Sequence, residues 1–248
     1  MNELEWEDPW APAWKKRWMQ KIVGVSQTWV LVALLCGTGL LIWLGVTWTL
    51  NSWHLQEQED HLASLGEDVD WLRQREEWAQ GFVRTRLAVL EVAKRKMTAR
   101  QVGVLTETLW QQSRTYGFDP LLIVAVMQVE SSSNPWARGK FRSGAESGAL
   151  GLMQLKLGTA QLMGRALGIS IQSEADLMKP EVNLLLGTYY LLRLIVRYGN
   201  VTKGLMAYNI GPYALEKKVR NGGRLPVGYS RKILVEYRNL VQKFGQLQ

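Results

Sequence analysis

The chain of 248 residues is poor in the groups that most often carry enzymatic chemistry. It has one cysteine, Cys36, and two histidines, His54 and His61. A single cysteine builds neither a disulfide framework nor a Cys-rich metal site. Both histidines lie far in sequence from every motif described below, which removes a His-dependent triad and a zinc mechanism. No metal and no cofactor is expected. Proline is scarce, at 7 residues, and none falls between 54 and 100. No stretch alternates apolar and polar residues as a half-buried strand would, so the expected fold class is all-α. Acidic residues are outnumbered, 22 against 30 Lys and Arg, for a net charge of +8. That balance favours an anionic partner, but no nucleic-acid-binding fingerprint accompanies it, and nucleic acid is not expected.

One absence locates an element. From 22 to 53 there is no Asp, Glu, Lys, Arg or His. Residues 28–50 (TWVLVALLCGTGLLIWLGVTWTL) are long enough to cross a bilayer, which needs roughly 20 apolar helical residues. Trp29, Trp48 and Trp53 stand near the ends, where aromatic rings favour the interface. Lys15, Lys16, Arg17 and Lys21 precede the span, and Glu57, Glu59 and Asp60 follow it. By the positive-inside rule, residues 1–27 form a cytoplasmic segment and everything after about residue 50 lies outside. A cleaved signal peptide is the rival reading. It wants a shorter apolar core and small residues at its exit, whereas this exit reads Thr-Leu-Asn-Ser-Trp-His. An uncleaved single-pass membrane anchor at 28–50 is therefore expected, and Cys36 within it reads as an inert buried thiol.

Residues 51–100 read as a long helical stalk. Leu55, Leu62, Leu65, Val69 and Leu72 fall near a seven-residue pattern, which Ala79, Val83 and Leu90 continue imperfectly. Two readings stay open. One is a dimeric coiled coil, hence a homodimer through 54–100. The other is an amphipathic helix packed on its own domain.

Residues 101–248 read as one helical domain. Helices are expected at 106–116, 121–129, 159–167, 180–198, 203–208, 213–221 and 229–244, separated by Gly- and Ser-rich turns. Asp119-Pro120 is a helix start, with a carboxylate cap and proline in the first turn. Residues 121–129 (LLIVAVMQV) are apolar on nearly all sides and too short to span, so they form a central core helix.

That helix runs into Glu130. A carboxyl group after nine mostly apolar residues needs an explanation. It either satisfies a structural partner or holds a raised pKa as a general acid, the group that glycoside cleavage needs at the leaving oxygen. Its surroundings point to the second. Glu130-Ser-Ser-Ser-Asn-Pro-Trp-Ala137 is followed by Ser147-Gly-Ala-Leu-Gly-Leu-Met-Gln-Leu155, then by Ala207-Tyr-Asn-Ile-Gly-Pro212 and a helix holding Tyr229 and Tyr237.

These three ordered blocks resemble the soluble lytic transglycosylase family, which shares the goose-type lysozyme fold. That family shows Glu-Ser-x-x-Asn-Pro-x-Ala, Gly-Ala-x-Gly-Leu-Met-Gln and Ala-Tyr-Asn-x-Gly-Pro. The likeness covers roughly 101–240. It implies a lysozyme-like helical domain with Glu130 as the catalytic residue. It implies a substrate cleft formed by Ser147, Gly148, Gly151, Met153, Gln154, Tyr208, Asn209 and Tyr229. Met153 as plain core and Gly148 as a simple turn remain open. The implied substrate is peptidoglycan, cut between N-acetylmuramic acid and N-acetylglucosamine with formation of a 1,6-anhydro ring. Such an enzyme would work at a bacterial inner membrane with its domain in the periplasm, editing wall or opening it for secretion or other envelope machinery. Two rivals are a lysozyme-like hydrolase of the same bond and a non-catalytic wall-binding scaffold.

The sequence also departs from the family pattern. The stretch between Ala137 and Ser147 is longer than usual and carries Arg138, Lys140 and Arg142, which suit a cleft rim, a contact with anionic wall material or a solvated loop. Lys156-Leu157 stands where Met-Pro is frequent. Leu225-Pro-Val-Gly-Tyr229 replaces Glu-Thr-Arg-x-Tyr, keeping only the tyrosine. Residues 101–248 hold 18 Lys and Arg against 9 Asp and Glu, an excess suited to a polymer bearing carboxylates.

Overall fold

The structure, a computed structural model, describes residues 12–94 and 96–245. The first eleven residues of the expected cytoplasmic segment lie outside the described residues. The chain divides into two compact units, 1–72 and 73–248.

In the first unit the helix α1, which runs Ala13–Ala93 in all, carries the apolar span. It is the one helix among the described residues that is long and apolar enough to cross a membrane. Leu55, Leu62, Leu65, Val69 and Leu72 are all exposed, Leu62 at 67%.

The second unit includes the last turns of α1. Thr85, Ala88, Val89, Val92 and Ala93 are buried and share one face of the helix, and the four apolar ones belong to the main apolar core. Val83 and Leu90, which the seven-residue pattern selected, stay exposed. The pattern followed large residues. The packed face is built from small ones, because α1 must lie close to its neighbours. Gly81 shows how close: a methyl group there would fall 2.2 Å from the Trp110 ring.

Seven further α-helices and a single turn complete the unit. Helix α2 (Ala99–Tyr116) begins at a Thr98–Gln101 capping box and ends at Gly117 in the left-handed region. Helix α3 (Pro120–Ser131) is capped by Asp119, whose side chain accepts from the Leu121 N–H. Residues Leu121 to Met127 are buried on every side, so α3 is the central helix. Each of its larger side chains contributes about 2 kcal/mol by leaving water. Three short strands follow: β1 (Arg138–Lys140), β2 (Glu146–Leu150) and β3 (Leu155–Lys156). They form an antiparallel sheet in chain order, with an irregularity in β1 between Arg138 and Lys140. This sheet was not expected, since its strands of two to five residues are too short to show an alternating pattern.

Helix α4 (Leu157–Leu167), the single turn α5 (Glu174–Leu177) and α6 (Pro180–Tyr198) lead to α7 (Val201–Ile210), α8 (Pro212–Arg220) and α9 (Val227–Phe244). Helix α3 packs on α9 and α2, while α6 packs on α7, α2 and α4. The α6–α7 approach depends on Gly204, where a methyl group would sit 2.8 Å from the Ile195 Cα. The architecture is a helical domain around α3, with the small sheet beside the end of α3 that carries Glu130.

Candidate active site

The chain reverses immediately after Glu130. Ser132 and Ser133 both lie in the left-handed region, at φ +51° and +57°, which non-glycine residues rarely occupy. Their N–H groups donate to Gln128 O and Met127 O at 3.0 and 3.1 Å. The Ser131 hydroxyl donates to Leu152 O at 2.9 Å, stitching the helix end to the loop between β2 and β3. The last turn of α3 is thus cut short, and one side of it opens into a cavity of about 520 Å³, within the range of small-molecule and cofactor sites.

Glu130 is half-buried on the cavity wall. Burial raises its pKa to about 7, against the opposing pull of a hydrogen bond from the Tyr229 hydroxyl to Oε1. The carbonyl end of a helix dipole also disfavours a carboxylate there. The Tyr229 phenol, supplied by α9, is pushed far up by burial and then by Glu130, so it remains a donor. Tyr208, from α7, donates to Met153 O at 2.7 Å, and its ring lies 5.4 Å from that of Tyr190. Its phenol is also raised, by burial first and by Glu130 second.

The opposite wall comes from the sheet. Gln154 takes φ +48° and donates from Nε2 to Gly151 O and Ala137 O at 2.9 and 3.3 Å. Gly139 packs against it. A methyl group there would fall 2.5 Å from Ser147 Oγ and 2.7 Å from Gln154 Oε1. The turn from β2 to β3 is held from behind by Asn183 on α6. This fully buried amide accepts from the Met153 N–H at 2.7 Å and donates to Leu150 O and Leu177 O at 2.8 and 3.2 Å.

Of the residues expected from sequence, Glu130, Ser147, Gln154, Tyr208 and Asn209 line the cavity, and Tyr229 reaches it through Glu130. Three others are placed differently. The Met153 side chain is fully buried, with its Cβ only 2.4 Å from where a methyl group on Gly187 would stand. It is core, and only its carbonyl serves the site. Gly151 is buried at φ +74°, where a methyl group would strike Asn183 at 2.5 Å, so its role is packing. Gly148 also has φ +74° but has open space around it and lies off the cavity wall. Sequence reasoning missed Asn183, whose signal is an amide set in the apolar run of α6, and it missed Gly139, Phe141, Thr159 and Tyr190 on the wall, while Lys156, also on the wall, had been noted only as a departure from the family pattern. Lys140 had been singled out only as part of the long loop.

A larger cavity, about 850 Å³, lies near the other end of α3, lined by Tyr116, Phe118, Leu122, Tyr189 and Leu234 among others. Asp119 on its edge is engaged by Arg84 at 2.7 Å and Tyr237 at 2.8 Å. That cavity is mostly apolar and presents no free acid. The smaller one holds the perturbed carboxyl group with amide and hydroxyl groups around it, which is what acid–base work on a polyhydroxylated substrate requires.

Residues 108–226 match the family model described as Transglycosylase SLT domain. The chain is 39% identical over 109 residues to the endo-type membrane-bound lytic murein transglycosylase A of Cronobacter sakazakii, covering 43% of this chain and 49% of that one. It is 36% identical over 105 residues to a transglycosylase of Enterobacteria phage PRD1, covering 42% and 34%. Among solved structures it resembles the 70-kDa soluble lytic transglycosylase in complex with bulgecin A. The TM-score is 0.50 at 23% identity, over 62% of this chain and 26% of that chain, a likeness of fold. The chain spans about half the length, or less, of the curated relatives it matches.

Proposed function

With residues 108–226 matching the Transglycosylase SLT domain model, we propose that the protein is a membrane-anchored enzyme of the soluble lytic transglycosylase family that cleaves the glycan strands of peptidoglycan without consuming water. The observation that carries this reading is a single half-buried carboxyl group with a pKa near 7, Glu130, facing a polar cavity. Among the described residues it is the only carboxylate on that wall. A two-carboxylate hydrolase wants a second acid across the bond.

Glu130 enters the reaction protonated and gives its proton to the glycosidic oxygen between N-acetylmuramic acid and N-acetylglucosamine. The C1–oxygen bond breaks, and the muramic N-acetyl oxygen stabilises the cation developing at C1. Glu130, now a carboxylate, takes the proton of the muramic C6 hydroxyl. That oxygen attacks C1 and closes a 1,6-anhydro ring, leaving Glu130 protonated again. Tyr229 steadies the carboxylate form by donating to it. Gln154, Ser147, Asn209 and Tyr208 offer the donors and acceptors that sugar hydroxyl and N-acetyl groups need.

The rest of the chain supports a single-pass inner-membrane topology. The apolar span follows a basic cluster, so the catalytic domain stands on the periplasmic side. The exposed Leu55, Leu62, Leu65, Val69 and Leu72 support a homodimeric stalk over the part of 54–100 that precedes the turns packed into the helical domain's core. A tethered enzyme of this kind suits local wall opening beside a secretion or other envelope assembly.

Digestion of purified peptidoglycan followed by mass analysis tests the reaction. Products ending in 1,6-anhydro-muramic acid, 18 Da lighter than hydrolytic ends, are expected. Reducing-end muramic products from the wild type would overturn it.

A further inference from the structure

The cavity wall carries two cations besides Glu130. Lys140 ends β1 and Lys156 ends β3, on the two outer strands of the sheet. Both are exposed, and neither forms an ion pair among the described residues. The nearby charges are accounted for. Arg138 is held by Glu174 at 2.9 Å and Glu146 at 3.6 Å. Glu146 stands opposite Lys140 in the strand register, yet its carboxylate lies toward Arg138. Arg142 sits in the β1–β2 turn, off the wall. The wall therefore has a cationic side and an acidic side, and the acid there is the one that stays protonated to about pH 7.

An uncharged sugar gives no reason for two unpaired ammonium groups, since lysine is a strongly hydrated point charge that gains most from an anion. The anion must lie on the same substrate strand, because these lysines share the cavity with Glu130. On a peptidoglycan strand the negative charge is carried by the peptide stem of each muramyl residue. We propose that Lys140 and Lys156 recognise the stem carboxylates of the muramyl residue bound in the cleft, and so set a preference for peptide-bearing over neutral strands. This rests on the peptidoglycan reading above. Both lysines fall where the sequence departs from the family pattern, in the lengthened 138–146 stretch and at Lys156-Leu157, so the preference belongs to this chain. Gly139 is the element that permits it. Its missing side chain lets β1 close on Ser147 and Gln154, which brings the adjacent Lys140 onto the wall.

The test compares native strands with strands whose stem carboxylates have been capped as neutral methylamides by carbodiimide coupling. The full-length protein is assayed in detergent, for turnover and for strand binding by sedimentation. The wild type is expected to show about a 10-fold lower KM on native strands, the combined effect of two partly screened charge contacts. The double variant Lys140→Gln with Lys156→Gln should lose that preference, with kcat within about two-fold of wild type. Arginine at both positions should restore it, and Arg142→Gln should leave it unchanged. A double glutamine variant that still prefers native strands overturns the inference. Binding separates the two layers. A charge preference in binding with no turnover would leave the recognition standing and sink the proposed reaction. Turnover with no charge preference would do the reverse.

Discussion

Both ends of α3 carry a carboxyl group, and each is met by a tyrosine from α9. Asp119 at the start accepts from Tyr237, and Glu130 near the end accepts from Tyr229. Their settings differ in everything else. Asp119 lies at the positive end of the helix dipole, caps the Leu121 N–H and pairs with Arg84. Glu130 lies at the negative end, has no cation paired with it among the described residues and is pushed to about pKa 7 by burial. Charge satisfaction at one end fastens α1, α3 and α9 together. Its withholding at the other end leaves a proton available for chemistry. The same pair of residue types therefore builds a joint at one end and an acid at the other.

The largest expected effect breaks this comparison by removing each carboxylate in turn. Glu130→Gln should lower the rate of strand cleavage by about 10³-fold, since a general acid contributes on the order of 10² to 10⁴. Asp119→Asn keeps a helix cap but loses the ion pair. It should lower stability by about 1 kcal/mol while leaving the rate per folded molecule within about two-fold. Product release from purified wall, normalised to folded protein by tryptophan fluorescence, checks both. Equal losses of rate would mean that the two ends do not differ in function.

Protonation sharpens the comparison at a somewhat smaller scale. Glu130 has a folded-state pKa of about 7 against an ordinary value of 4.5. Between those values the folded chain holds a proton that the unfolded chain has released. Stability from this group is therefore full below pH 4.5 and falls as pH rises through 7. The loss is about 3 kcal/mol by pH 8, at 1.36 kcal/mol per unit. Denaturant titrations of the detergent-solubilised chain should show this slope in the wild type and lack it in Glu130→Gln. Turnover should also decline above about pH 7, where the acid is lost.

How much of this was legible in the sequence follows from which signals are local. The caps and the apolar run of α3 are read from neighbouring residues, so Asp119, α3 and Glu130 were found where they stand. The bounds of α6 matched to the residue, because Pro180 opens it and Gly199 closes it. The sheet was missed because strands of two to five residues are too short to show an alternating period. The face that α1 buries was misjudged because small residues mark a close approach that hydropathy does not weigh. Met153 and Gly151 were assigned to the cleft through a motif whose residues sit side by side in sequence. In the fold alternate positions of that motif face opposite ways, Gln154 to the cavity and Met153 to the core. Asn183 was invisible as a functional residue because it acts through the backbone of another element.

The smallest effect separates the two tyrosines. Tyr229→Phe removes the only side-chain hydrogen bond on Glu130 among the described residues. That bond lowers the pKa of Glu130, so its loss raises the pKa further and moves the alkaline limb of the rate profile upward. The carboxylate formed after proton transfer also loses its donor, and kcat should fall by about 10-fold, the scale of one charge-assisted hydrogen bond. Tyr237→Phe removes the matching bond to Asp119, which retains Arg84 and the Leu121 N–H. It should cost about 1 kcal/mol of stability and leave the pH profile of the rate where it was. Rate–pH profiles of the two variants, measured together, decide the matter. A shifted profile in Tyr229→Phe alone assigns the phenol at Glu130 to the chemistry, while matching unshifted profiles would make both tyrosines structural.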